Sequence, residues 1–354
     1  MPIKCFSLLA LLGSAWCAAC QPATTTTPPM PAARTERFRL SAGPGCADGY
    51  PARIHEARFL TPDGGGFPVP YGHFLTGNWG RSGIGWAVGD EMQAAPDSLE
   101  IRLFSYTENK FYEGHFLLPQ EKLYALLKQG YWQADEKKQG TYDDLNVTVV
   151  PTGVVMVWLR GRLNQVFIGR YQARQIEYDY ERFAPGADRA SVVRNEQAKL
   201  SPAVRREIAA GTVSSQRWDA YLKTYPWRLE FSRPLTLGPF GVGYRNAEAA
   251  EDPPTPDQAA FAQLLLAPGP KPVPTALGLE VTGPYGRRRR LDLAFPDEAE
   301  TMAAFQALHA QHPKGPIVLY VDVDEPLAHA TLSLRAGGQI MPLPKGRVES
   351  WPVK

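Results

Sequence analysis

Cysteine is scarce in this sequence. Its 354 residues include four, at positions 5, 17, 20 and 46, too few to build a disulfide framework. Cys17 and Cys20 have Cys-x-x-Cys spacing, but they sit in an apolar N-terminal run, where that spacing is neither a redox nor a zinc motif. Long apolar runs are also missing. The stretch from Phe6 to Ala19 falls short of the ~20 residues that span a bilayer, and no later stretch is longer. Charge of one sign is in short supply, the formal net value being +2. This argues against nucleic acid as a partner and against a polybasic membrane face. Catalytic motifs are absent too. There is no Gly-x-Ser-x-Gly elbow, Ser214-Ser215 has no histidine nearby, and His55-Glu56 is not followed by the second histidine of a zinc-protease helix. No cofactor or metal is implied, and the sequence reads as a binding protein rather than an enzyme.

What is present begins at the N-terminus. Lys4, a short apolar run, Ala18-Ala19 and then Cys20 form the pattern of a secretory signal that ends in a lipid-acceptor cysteine. Residues 1–19 are expected to be removed and Cys20 acylated, giving a periplasmic, lipid-anchored chain. Gln21 is not the aspartate that retains lipoproteins in the inner membrane, which favours the outer membrane. Cys17 departs from the branched aliphatic usual at its position, and the competing reading is cleavage near Ala19 with release. Residues 20–36, rich in Pro, Thr and Ala, read as an extended tether. With Cys20 acylated, Cys46 is a lone thiol in an oxidising compartment and is expected to be buried.

About 330 residues remain of a chain that is 44% hydrophobic and 21% charged, enough for two folded α+β domains. Residues 37–246 form the first. Leu99–Tyr106 and Phe111–Leu118 alternate as half-buried strands do. Pro119-Gln120-Glu121 opens a helix with Leu123, Leu126 and Leu127 on one face, ended by Gly130. Asn146–Val150 and Val154–Leu159 make a valine-rich hairpin, and Gln165–Tyr178 reads as one further strand. Ser201-Pro202 starts a helix, Trp218–Tyr221 lies on another, and Trp227–Phe231 on a strand. Residues 247–275, interrupted by a helix at Gln258–Leu266, read as a proline-rich link. Residues 276–354 form a second, smaller domain with the order strand, turn, strand, helix opened by Pro296-Asp297-Glu298, strand, strand. That order repeats the one around Pro119-Gln120-Glu121, which suggests a distant internal duplication of mixed and antiparallel sheets with a few packed helices.

Each candidate site also admits a purely structural role. His309 and His312 have metal-compatible helical spacing but occupy a last turn, where cationic groups suit the helix dipole. Asp322, Asp324 and Glu325 lack the glycine and spacing of a calcium loop. Glu177, Asp179 and Glu181 would share one face of the strand expected there, a solvated or acidic strip. Arg287, Arg288, Arg289 and Arg290 form the one dense charge run, either a solvated hairpin edge or a surface that grips an acidic partner. Trp79 and Trp86 lie in the Gly-rich loop 77–90, as partner anchors or as local packing. Trp158, Trp227 and Tyr171 are core candidates.

Several segments resemble the domain of unknown function 2931 family of bacterial lipoproteins. They are the loop at 77–90, Leu103–Tyr112, Leu118–Leu123, Val150–Leu159, Ile168–Ala173 and Trp218–Trp227. The resemblance covers roughly 50–235. Ser105-Tyr106 departs from the family's pattern, and the chain beyond 240 has no counterpart in it. Members often accompany phospholipase effectors of type VI secretion systems. The resemblance therefore implies a periplasmic immunity protein, attached to the membrane by its lipid, that binds such an effector, with Trp79, Trp86 and Arg287–Arg290 as the candidate contact residues. Two rivals are an envelope structural or assembly lipoprotein with no toxin partner, and an envelope hydrolase.

Overall fold

The computed structural model describes residues 36–85 and 92–353. Cys20, the tether and Trp86 lie outside the described residues. Local sequence sets the first series of elements: β1 (Ser41–Cys46), β2 (Ala52–Leu60), β3 (Ser98–Ser105), β4 (Lys110–Leu117), α1 (Gln120–Gln129), β5 (Asp144–Val150), β6 (Val154–Gly161), β7 (Asn164–Gln172) and β8 (Arg174–Ile176). β1 pairs parallel with β5, and β5, β6 and β7 follow as antiparallel neighbours. The order β2-β3-β4-β8 makes a second, antiparallel sheet. The valine runs of β5 and β6 are almost wholly buried, as unbroken apolar strands must be. Between them, Thr152 takes a left-handed φ of 67°, held by a hydrogen bond from its N–H to Glu108 Oε2 (3.0 Å).

Four helices follow: α2 (Tyr180–Phe183), α3 (Arg189–Ala198), α4 (Pro202–Ala210) and α5 (Gln216–Tyr221). α4 starts as its sequence dictates, with Ser201 capping Val204 N–H and Gly211 closing it in the left-handed region. The second series is β9 (Thr224–Phe231), β10 (Thr236–Tyr244), α6 (Gln258–Leu266), β11 (Pro274–Thr282), β12 (Arg288–Ala294), α7 (Glu298–Gln311), β13 (Ile317–Val323), β14 (Ala330–Ala336), β15 (Gln339–Pro342) and β16 (Arg347–Pro352). Here β9 pairs parallel with β13, β13-β14-β15 run on antiparallel, and β10-β11-β12-β16 form the companion order. The fold is α+β. One nine-stranded sheet joins the two series, with the two-residue strand Ala249–Ala250 lying between β7 and β10.

Two large apolar clusters lie on either side of this junction, one drawn from Leu40 to Ala173 and one from Tyr225 to Leu343. The changeover between these clusters falls before β9, ahead of residues 247–275, the stretch expected as a link. That stretch instead supplies α6 and a strand beside β9 to the second cluster, with Phe261 stacked on Phe240. Its prolines marked edges and turns of a packed layer, which composition alone does not distinguish from a linker.

The expected single strand 165–178 is two strands in different sheets. The chain crosses over at Ala173, whose N–H bonds to Gly153 O. Glu177, Asp179 and Glu181 consequently share no strand face. Asp179 caps α2 through Glu181 N–H, and Glu181 accepts from Gly186 N–H. Cys46 is buried, and burial pushes its thiol pKa up to about 12.

Gly80 is the glycine of the 77–90 loop that the fold most clearly requires. It has φ of 66°, and a Cβ there would lie 2.2 Å from the Cβ of Ala247. Gly80→Ala should therefore destabilise by about 2 kcal/mol or more, combining left-handed strain with a clash against the Ala247 methyl, as read from chemical denaturation. Lys271 carries a different penalty. Its ammonium is buried, donates to Ala267 O at 3.0 Å and sits 4.8 Å from the Trp227 ring centroid. Burial lowers its pKa from 10.5 to about 8. The unfolded chain thus binds more protons between these values, and stability should rise as pH climbs from about 8 towards 10.5. Lys271→Met should remove that slope and raise stability at pH 7 by about 1–2 kcal/mol, measured as Tm against pH.

Candidate functional site

The sequence-derived candidates separate into two places. Trp79 lies half-buried in the seam between the two series. Its Nε1–H donates to Arg245 O at 2.9 Å, and its ring meets Trp158 and Tyr221 edge-on at 5.2 and 5.8 Å. Trp158 Nε1–H donates to Asn246 O at 2.9 Å, and Gln165 Nε2 to Ala247 O at 2.7 Å. Three side chains of the first series thereby clasp consecutive carbonyls in the turn after β10. Trp79 is engaged by its own chain, so the candidates left open to solvent among the described residues are the arginines, with Arg287 and Arg288 exposed and Arg289 and Arg290 half-buried.

Arg287–Arg290 lead from the tip of the β11–β12 hairpin into β12. Strand alternation divides them. Arg288 and Arg290 share a face with Asp292, while Arg289 has the parity of buried Leu291 and Leu293. Arg288 pairs with Glu280 at 3.1 Å, Arg290 with Asp292 at 2.9 Å, and Arg287 donates to Glu325 O at 3.3 Å. Arg289 has no carboxylate partner among the described residues. Two aromatics that sequence reasoning did not single out complete this edge. Tyr285, at the hairpin tip, is fully exposed with a left-handed φ of 59°. Trp351 on β16 stands opposite Arg290 in register and is 54% exposed. The Gly-Pro-Tyr-Gly turn was the signal that could have found Tyr285.

Aromatic and arginine side chains exposed together are the composition of interface anchors. The nearby Glu280 and Asp292 offset much of the positive charge, so this edge is a mixed polar surface rather than a plain cationic one.

The other candidates have local roles. His309 packs edge-on to Tyr225 at 5.5 Å, and His312 ends α7. Asp324 accepts from Ala328 N–H and contacts His329 Nδ1 at 2.9 Å. No group of three or more His, Cys, Asp or Glu among the described residues is arranged to hold a metal. Ser215 Oγ donates to Asp219, whose carboxylate also accepts from Arg170. Trp158 and Trp227 are fully buried, and Tyr171 stacks on Phe116 at 5.0 Å.

An α+β chain with an exposed aromatic–arginine edge describes a class but names nothing further. The family described as "Protein of unknown function (DUF2931)" matches residues 23–226, more than half the chain, and the protein belongs to that family. The match ends just inside β9, close to the changeover between the two apolar clusters. No curated protein and no solved structure matches.

Proposed function

We propose that this protein is a lipid-tethered periplasmic immunity protein that binds and occludes a phospholipase effector of a type VI secretion system. The observation that carries the binding reading is the β11–β12 edge, where Tyr285, Trp351, Arg287 and Arg288 stand exposed beside half-buried Arg289 and Arg290. Tight inhibition calls for ~1,600 Å² of buried interface with aromatic or arginine anchors at its centre, and this edge supplies both kinds. The tether rests on the signal pattern ending in Cys20. No helix among the described residues is long and apolar enough to cross a membrane, and a lipid anchor requires none.

The test is genetic and then biochemical. Deleting the gene should leave cells open to killing by their effector-armed siblings, and returning the wild-type gene should restore protection. Purified protein should abolish the lipase activity of the effector. A deletion strain that survives its siblings unharmed would remove the reading.

We also infer that β1–β8 and β9–β16 descend from one duplicated unit. What supports this is the repetition of six pairings, from the parallel first strand (β1 with β5, β9 with β13) to the last antiparallel one (β8 with β4, β16 with β12). α1 and α7 hold the same place, each opened by proline followed by polar and acidic residues. An experimental structure in which the two series fail to superpose would remove it.

A further inference from the structure

We propose that the cleft between α5 and the start of α7 is a binding site for a small planar carboxylate, with Arg245 as its counter-charge. This site lies apart from the β11–β12 edge and does not depend on the immunity reading. The cleft holds about 190 Å³ and is lined by Asp48, Trp79, Arg217, Tyr221, Arg245 and Glu298 among others.

The charges in it are unevenly satisfied. Arg217 and Glu298 form a closed bidentate pair at 2.6 and 3.1 Å, and Arg217 Nε also reaches Tyr221 Oη at 2.8 Å. Asp48 is exposed, and its Oδ1 accepts from Asn78 N–H at 2.9 Å. Arg245 has no carboxylate within ion-pair distance among the described residues. One of its Nη atoms donates to Phe295 O, while its Nε is buried with no acceptor. The side chain is half-buried, and that burial pushes its pKa down further than nearby Glu298 raises it. A partly desolvated cation left in this state is costly, and a carboxylate oxygen at its other Nη, which is neither buried nor hydrogen-bonded among the described residues, would offset that cost with a charge-assisted hydrogen bond.

The shape of the ligand follows from the walls. Trp79 and Tyr221 meet edge-on and present flat apolar surface. A cavity of about 150 Å³ accommodates a benzene ring, so the cleft here has room for one ring with its carboxylate and is small for a nucleotide. Pockets that pair aromatic walls with a few convergent polar groups are the usual form of small-molecule sites.

The probes are benzoate, the isosteric but neutral benzamide, and inorganic phosphate, titrated into the full protein and followed by the indole N–H resonances in a proton–nitrogen NMR spectrum. Benzoate should shift the Trp79 indole saturably, because that N–H bonds to the carbonyl of Arg245 itself. Benzamide should produce no saturable shift. Arg245→Lys, which keeps a cation but loses the planar fork, should weaken benzoate binding at least about tenfold, while Arg288→Gln on the distant edge should leave it unchanged. Absence of a saturable benzoate shift, an equal response to benzamide, or undiminished binding by a folded Arg245→Lys would overturn the proposal. Phosphate binding more tightly than benzoate would overturn the planar-carboxylate assignment. If Arg245→Lys does not fold, the benzoate–benzamide comparison on the wild-type protein decides alone.

Discussion

Replacing Trp158 by alanine is expected to lower the unfolding free energy by about 3–5 kcal/mol. The indole is fully buried on β6 and packs against Trp79 and Phe167 at 5.2 and 5.6 Å, so the truncation leaves a cavity among other large rings. It also removes the N–H that holds Asn246 O, leaving a carbonyl in the turn after β10 without its partner. The two losses can be separated. Trp158→Phe keeps most of the ring volume and gives up the N–H, and should cost about 1–3 kcal/mol. Denaturant titration measures both variants, and proteolysis should find the turn at 245–248 more readily cut in each. A cost below about 1 kcal/mol for the alanine variant would mean that the clasp between the two series is not held here.

The second expected result has two signs. Tyr285 occupies a left-handed conformation that glycine adopts freely and a tyrosine only at a cost of about 1 kcal/mol. Its side chain is fully exposed, so packing does not compensate. Tyr285→Gly should therefore stabilise the protein by about 1 kcal/mol while weakening capture of the effector by about 2 kcal/mol or more, roughly 30-fold. Trp351→Ala should weaken capture to a similar degree with little change in stability, since more than half of the residue faces solvent. Thermal melts and effector-binding titrations on the same preparations read the two effects. If Tyr285→Gly binds the effector as wild type does, the β11–β12 edge is not the contact surface.

Much of the fold was legible because its elements carry local instructions. The Ser201-Pro202 start, the valine hairpin of β5 and β6, and the proline-acid openings of α1 and α7 each determine their own structure. Other elements carry no such instruction. α3 is polar on nearly every side and buries only Val193, so no periodicity marks it. The division of 165–178 into β7 and β8 depends on which sheet offers an edge, a non-local matter. Prolines at the edges of packed strands have the same composition as a linker, so the place where the two apolar clusters meet carries no local mark. At the site, the arginine run was visible as a run, but its neighbour Trp351 comes from a strand some sixty residues later and meets it only through register. Trp79 illustrates the converse: a tryptophan among glycines looks like a free anchor, yet its ring packs on Trp158 and Tyr221 and its N–H bonds to Arg245 O.

The strand Ala249–Ala250 has a mechanical consequence. Across the nine-stranded sheet it faces β7 through a single residue pair and β10 through two, whereas the other neighbouring strands are laced along most of their length. If the chain is moored at Cys20 and a captured partner pulls on the far edge, tension crosses this short rung, and the sheet should yield there before either series of strands loses its own shape.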